Sequence, residues 1–306
     1  MEKSSDKTEI PATVGEALQY CARHLENSDA YFGHGTDNPW DEAVQLVLTV
    51  VGLPLESGDE VLPHAVTRAT FDQLSSLLQR RIEDRVPLPY LLKRAWFAGL
   101  EFHCDERALV PRSPLGELLQ CQFKPWYSGP EPRRILDLCC GGGAIGLACA
   151  HYLPQVHVDL LDLQAGALAL SRQNAEALGL EQRVSIIQSD LFRAVGQVQY
   201  DLILSNPPYV NALDLATMPA EYHHEPPTAL GSGSDGLALT HRILASARDY
   251  LQPEGLLVVE VGNSWLALES AYPGVPFTWL EFENGGHGVF ALSAKELQDC
   301  SASFGG

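Results

Sequence analysis

The chain has 306 residues, 45% of them hydrophobic and 19% charged, which is enough for two domains with their own cores and unlike a disordered or fibrous sequence. Lys plus Arg number 20 against 39 Asp plus Glu, a formal net charge of −19. The acidity is spread along the chain, −8 over residues 1–105 and −11 over residues 106–306, so neither part offers the basic face that a phosphate backbone requires.

The first segment, residues 14–85, reads as helical. Leu18, Cys21, Ala22 and Leu25 recur at helical spacing, as do Phe71, Leu74, Leu77, Leu78 and Ile82, the latter run ending in the basic turn Arg80-Arg81. Between them lies the loop Gly33-His34-Gly35-Thr36-Asp37-Asn38-Pro39-Trp40, where Asp37 or Asn38 is expected to cap a helix that has Pro39 at its first position. Trp40 and Trp96 are expected in the core or at a domain interface. Pro87 and Pro89 end the helical region, and 96–102 and 108–110 read as two short strands of a connector. The expected division is a helical domain over 1–92, a β-hairpin connector over 93–116 and a second domain over 117–306.

From Arg134 the pattern alternates. Strands are expected at 135–138, 156–161, 184–187, 200–204 and 256–261, with helices at 144–152 and 165–178. Repeated strand–helix units imply a parallel sheet covered on both faces. The end differs: 277–282 and 289–292 flank the turn Asn284-Gly285-Gly286-His287-Gly288, a hairpin that makes one sheet edge antiparallel.

Seven cysteines, an odd number without Cys-x-x-Cys spacing, argue against a zinc site or a disulfide framework and fit a reducing compartment, here the cytoplasm. Met1-Glu2-Lys3-Ser4-Ser5-Asp6 lacks the apolar core of a signal peptide. The longest near-apolar run, Val44 to Leu55, is too short for a membrane span and is broken by Gly52 and Pro54.

The most informative stretch is Ser205-Asn206-Pro207-Pro208-Tyr209, at the end of the strand over 200–204. Two adjacent prolines stop both sheet and helix, since neither has an N–H to donate. A rigid shelf is left, offering the Asn206 side-chain carbonyl and the Pro207 backbone carbonyl beside the flat ring of Tyr209. Two converging acceptors and a ring fit a planar –NH2 group, a carboxamide or an exocyclic amine on a base. The alternative is an ordinary Pro-Pro strand exit with a capping Asn.

Three more strand ends carry carboxylates. Asp137-Leu138-Cys139-Cys140-Gly141-Gly142-Gly143 leaves the first strand of the alternating region, Asp162 ends the second and Asp190 the third. Glycines allow a ligand close to the backbone at the carboxyl edge of the sheet, and a carboxylate about 20 residues on suits ribose hydroxyls. Singly, each acid is a cap or a solvated loop residue; four in order with Asn206 make a site.

This order resembles the S-adenosylmethionine-dependent methyltransferases of the seven-stranded Rossmann-like class, in which the Asn-Pro-Pro-Tyr box belongs to enzymes that methylate planar nitrogens. The resemblance implies S-adenosylmethionine as cofactor, with Asp137, Cys139, Gly141 and Gly143 about the methionine moiety, Asp162 and Leu163 at the ribose, and Asp190 and Leu191 at the adenine. It implies Asn206, Pro207 and Tyr209 as catalytic residues, Asn206 also bordering the cofactor. Residues 31–43, from Tyr31 to Ala43, and the box Leu109-Val110-Pro111-Arg112-Ser113-Pro114-Leu115-Gly116-Glu117 are similar to the ribosomal-protein branch of the protein glutamine methyltransferases. Its substrate is the third protein of the large ribosomal subunit. The release-factor branch typically has Pro-Arg-x-x-Thr-Glu at the latter place. Glu221-Tyr222-His223-His224-Glu225-Pro226 fits both branches. Two departures stand out. Cys140-Gly141-Gly142-Gly143 replaces the usual Thr-Gly-Ser-Gly, and Asp162-Leu163-Gln164 replaces Asp-Ile-Ser.

The implied activity is methyl transfer to a glutamine amide nitrogen of a basic ribosomal protein, an attraction that the acidic charge favours. The competing activities are glutamine methylation of a release factor and methylation of an exocyclic amine in RNA or DNA. A non-enzymatic competitor is a ribosome-assembly binding module. Arg112 is expected to hold the connector, the alternative being contact with substrate, and His34, His223 and His224 to be loop hydrogen-bonders rather than bases.

Overall fold

The computed structural model describes residues 10–305, so the reading of Met1 to Asp6 falls outside the described residues. Two compact units emerge: the chain up to Lys93 together with Pro219–His224, and Arg94–Met218 together with Glu225 onward.

The first unit is helical: α1 (Val14–Glu26), α2 (Pro39–Val51), α3 (Arg68–Glu83) and α4 (Leu88–Leu92). Thr13 Oγ1 accepts from Glu16 N–H at the start of α1. At α2 the cap is Asn38, whose Oδ1 accepts from Asp41 N–H at 2.9 Å, and Pro39 takes the first helical position. Leu18, Cys21 and Leu25 meet Leu46, Val47, Leu74 and Leu78 in one core. Trp40 is not part of that core: it stands on the first turn of α2, 49% exposed. The helix face that turns inward there is carried by Ala43, Leu46 and Val47, three to seven residues on.

The second unit opens with a hairpin, β1 (Arg94–Phe97) and β2 (Leu100–His103), paired antiparallel through a two-residue turn. Ala98 (φ 49°) and Gly99 (φ 78°) both lie in the left-handed region, the geometry a tight hairpin requires. The stretch expected as one strand is therefore two. The second expected strand, 108–110, is no strand; Val110 N–H donates to the Glu225 carboxylate instead of to a ladder. The hairpin groups with the second unit rather than standing alone, and Pro219–His224 groups with the first.

After α5 (Leu115–Leu118), the sheet is built from β3 (Arg134–Leu138), β4 (His157–Asp162), β5 (Val184–Gln188), β6 (Tyr200–Ser205), β7 (Leu251–Glu260), β8 (Thr278–Trp279) and β9 (Val289–Ser293). Their order is β5-β4-β3-β6-β7-β9-β8, with β5 to β7 parallel and β9 antiparallel to both neighbours. The fold is thus the seven-stranded α/β sheet with an antiparallel hairpin edge, although β8 is shorter than 277–282. Helices α6 (Ala144–Tyr152), α7 (Ala165–Ala177), α8 (Ala212–Thr217), α9 (Ala238–Ala247), α10 (Trp265–Ala271), α11 (Ala294–Asp299) and α12 (Ser301–Phe304) accompany the strands. Alternate strand residues feed two cores, Ile135, Leu202 and Leu204 on one face and Leu136, Leu138 and Ile203 on the other.

From β3 the chain winds outward to β5, then returns to place β6 on the other side of β3. That reversal opens a crevice at the carboxyl ends of β3 and β6, where doubly wound sheets bind ligands. Gly146 lets α6 sit close to this edge, since a Cβ there would lie 2.2 Å from Leu160 Cδ2 and 3.0 Å from Asp137 Oδ2. Gly146→Ala is expected to destabilise the protein by about 1–3 kcal/mol through overpacking, read as a lower urea midpoint at unchanged slope.

Among the described residues, no helix is long and apolar enough to cross a membrane.

Candidate active site

A cavity occupies the crevice. Its wall includes Cys139, Gly141, Asp162, Leu163, Asp190, Leu191 and Asn206, seven of the residues singled out in the sequence. The loop after β3 is shaped by positive φ at Cys139 (58°), Gly141 (56°) and Gly143 (83°). Leu191, on the same wall, has φ 50°. Left-handed backbone at two non-glycine residues persists only where the surroundings fix it, and it clusters at binding sites.

What fixes the loop is hydrogen bonding to its backbone. Asp162 Oδ2 accepts from Gly141 N–H at 2.9 Å and Oδ1 from Gln164 N–H at 2.8 Å. Burial raises the Asp162 carboxyl above its ordinary range, while the N–H donors of Gln164 and Gly141 oppose the rise. From α7, Ser171 Oγ donates to Gly141 O at 2.7 Å and Asn174 Nδ2 to Gly142 O at 2.9 Å. Asn174 also accepts from His103 N–H at 2.7 Å, tying the loop to β2. Neither residue was singled out in the sequence. The available signal was a pair of polar side chains at i and i+3 on the inward, alanine- and leucine-rich face of that helix.

Asp137 and Gly143 do not reach the cavity wall. Asp137 is fully buried beneath the loop, and its Oδ2 accepts from Gly146 N–H at 2.8 Å. It therefore caps the first turn of α6 from below. Burial pushes its carboxyl up to about 7 against the opposing Gly146 N–H, with the Asp162 charge adding to the rise. A carboxyl raised in the fold keeps a proton that the unfolded chain has released above 3.8, so stability falls as pH rises from there to about 7. Asp137→Asn, which keeps an acceptor for Gly146, is expected to abolish that fall. Urea midpoints at about pH 5 and about pH 8 check it.

Asp190 is on the wall, but its carboxylate is engaged by Arg242 at 2.7 Å and Arg193 at 3.5 Å. Any adenine contact shares it with those cations. The shelf itself divides. Asn206 and Pro208 line the cavity; Pro207 is buried and Tyr209 partly buried, both off the lining. Among the described residues, no protein group is hydrogen-bonded to the Asn206 side chain, which leaves its amide available to a ligand. Tyr209 is held by the hydrogen bond from its hydroxyl to Glu260 Oε1 at 2.7 Å.

The Ala108–Ser113 segment also lines the cavity, a place the sequence did not reveal. Arg112 forms a two-pronged pair with Glu225, at 2.5 and 2.8 Å, and Glu225 also takes Val110 N–H at 3.0 Å. Arg112 is also on the cavity wall. Glu117 takes the N–H groups of Glu283 and Asn284. His34 and His224 lie in the first unit: His34 is buried with its ring 4.5 Å from that of Tyr222, and His224 Nε2 is bonded to Asp84 O at 2.9 Å. The thiols of Cys139 and Cys140 are pushed up by burial.

The donor set fits S-adenosylmethionine: a glycine loop open to close approach, a carboxylate on the wall at Asp162, and apolar surface from Leu163, Leu191 and Leu239. Residues 118–221 match the family model of the methyltransferase small domain. A solved structure of the hMettl16 catalytic domain, in complex with a MAT2A 3′UTR hairpin, covers 74% of this chain and 81% of its own at 17% identity and a TM-score of 0.50, a likeness of fold alone. Along nearly the whole length there is closer similarity. A ribosomal protein uL3 glutamine methyltransferase of Francisella tularensis is 41% identical over 297 residues, 97% of this chain and 95% of the relative. One from Xanthomonas campestris is 43% identical over 285 residues, 93% of this chain and 92% of the relative. Enzymes of this kind take their methyl group from S-adenosylmethionine, and by identity and coverage the chain belongs to the ribosomal protein uL3 glutamine methyltransferase family.

Proposed function

We propose that this protein methylates the side-chain amide nitrogen of one glutamine in ribosomal protein uL3. The observation that carries the chemistry is the Asn206 side chain, on the cavity wall with its amide unengaged. The near full-length similarity to the two uL3 enzymes supports the substrate.

An amide nitrogen is a weak nucleophile because its lone pair is shared with the carbonyl. Bound S-adenosylmethionine supplies an electrophilic sulfonium methyl. The protein contributes alignment. Asn206 Oδ1 and the Pro207 carbonyl accept the two amide hydrogens and turn the nitrogen toward the donor, with Tyr209 bordering the flat amide. As the N–CH3 bond forms the S–CH3 bond breaks, S-adenosylhomocysteine leaves, and one of the two amide protons passes by way of its acceptor to solvent. Leu109, Val110, Pro111 and Pro208 keep the surroundings dry, which strengthens those hydrogen bonds. Asp162 with Leu163 holds the ribose, and Leu191 with Asp190 borders the adenine.

The helical domain over 1–92 serves substrate recognition in this reading, and the reaction takes place in the cytoplasm. A net charge of −19 favours a basic ribosomal protein and disfavours direct nucleic-acid binding. The test offers labelled S-adenosylmethionine with uL3, a release factor, RNA and DNA in separate reactions. Label is expected in uL3 alone. Label in RNA or in the release factor, with uL3 blank, overturns the assignment.

A further inference from the structure

We propose that Glu260 is a positioning residue for methyl transfer, acting through Tyr209. This rests on the reading that the Asn206-to-Tyr209 shelf holds the substrate amide. Glu260 ends β7 and is 6% exposed. Its two carboxylate oxygens each accept from a different hydroxyl: Oε1 from Tyr209 at 2.7 Å and Oε2 from Ser113 at 2.6 Å. Ser113 Oγ is itself aimed, accepting from Leu115 N–H at 3.2 Å. Ser113 lines the cavity. Glu260 therefore ties Tyr209, which lies behind the lining, to a residue on the cavity wall, and gives Ser113 of the Leu109-to-Glu117 box a partner in the site.

The rest of Tyr209 is held as tightly. A Cβ on Gly262 would lie 2.6 Å from the Tyr209 ring, and one on Gly236 would lie 2.1 Å from its carbonyl oxygen. That carbonyl accepts from Ser264 Oγ at 2.8 Å. The ring is thus fixed along its edge, the backbone at its carbonyl, and the remaining freedom at the hydroxyl is removed by Glu260. A buried carboxylate costs more to desolvate than an amide or a backbone carbonyl in the same place. Its advantage is strong acceptance on both oxygens at once, which a single neutral group does not match. A reaction that relies on alignment is sensitive to loosening at this point, because small displacements of a near-attack geometry cost large factors in rate.

The experiment compares turnover on purified uL3, with S-adenosylmethionine affinity by calorimetry, across Tyr209→Phe, Glu260→Ala, Glu260→Gln and the Tyr209→Phe/Glu260→Ala double variant. Asn206→Ala serves as control. Tyr209→Phe and Glu260→Ala are each expected to lower kcat about tenfold, with cofactor affinity within about twofold. The double variant is expected to lose no more than the worse single one, since both break one contact. Glu260→Gln is expected to recover most of the turnover, because its carbonyl still accepts the Tyr209 hydroxyl. Additive losses, unchanged kcat in the single variants, or Glu260→Gln as impaired as Glu260→Ala each overturn the proposal. If Glu260→Ala does not fold, Tyr209→Phe and Glu260→Gln carry the test. Turnover surviving Asn206→Ala rejects the shelf reading itself. Its loss, with normal turnover in Tyr209→Phe and Glu260→Ala, rejects only the role of Glu260.

Discussion

Replacing Asn206 with alanine is expected to lower turnover on uL3 by about a thousandfold while leaving S-adenosylmethionine affinity within a few-fold of the native value. The residue leaves β6 where Pro207 and Pro208 forbid continuation of the ladder, and its side chain is on the cavity wall with no hydrogen-bond partner among the described residues. Ser205 just before it is pinned, its Oγ donating to Leu138 O at 2.8 Å across to β3. The shelf is therefore held by the strand rather than by Asn206 itself, so truncation removes the acceptor without releasing the backbone. An acceptor that orients a reacting amide acts chiefly on kcat. A variant that bound the cofactor poorly and turned over normally once saturated would move Asn206 into the cofactor site and leave the mechanism without its orienting group.

The largest expected effect on stability is elsewhere. Arg81→Met should cost about 3–5 kcal/mol, because it strands the buried Glu42 carboxylate and takes one of two cations from Glu221. Arg81 is 2% exposed, and its guanidinium contacts Glu42 Oε1 at 2.5 Å, Glu221 Oε1 at 3.0 Å and Tyr31 O at 2.7 Å. Arg85 adds a two-pronged pair to Glu221, at 2.7 and 2.9 Å. Burial alone would raise the Glu221 carboxyl, yet the hydrogen bonds from Arg85, Tyr31 N–H and Arg81 outweigh it and hold the group at about 2. Glu42 goes the other way, raised by burial that Arg81 only partly offsets. A carboxyl held below its unfolded value of 4.5 contributes stability above that pH, and the contribution is lost as pH falls toward 2. The variant should therefore unfold at lower urea near neutral pH and show a weaker acid dependence of its midpoint. A loss under about 1 kcal/mol would mean that the cluster is solvated in solution and carries no such weight.

Arg81 also marks where sequence reading stopped. In the pattern it looks like the solvated end of an amphipathic helix, beside Arg80, and nothing local says that Glu42 and Glu221 wait for it. Such pairings across 39 and 140 residues leave no periodic trace. The same holds for the two glutamates of the Glu221-to-Glu225 tract, four residues apart, one serving Arg81 and Arg85 in the first unit and the other Arg112 in the second. By contrast, the sheet was legible because its strands are buried on both faces and read as apolar runs, each closed by a chemically distinct residue. The cavity wall at Asp162, Asp190 and Asn206 followed from that order of strand ends. Asp137 sits one residue before the end of β3, and that step of alternation turns it under the loop, toward Gly146.

The central claim is that this protein places one methyl group on a glutamine side chain. Tandem mass spectrometry of uL3 after incubation with the purified enzyme and S-adenosylmethionine tests it most directly. An increment of one CH2 is expected on a single glutamine side chain, absent when the Asn206→Ala variant replaces the enzyme. An increment on lysine, arginine or a backbone nitrogen, or none on uL3 while another macromolecule gains it, would contradict it.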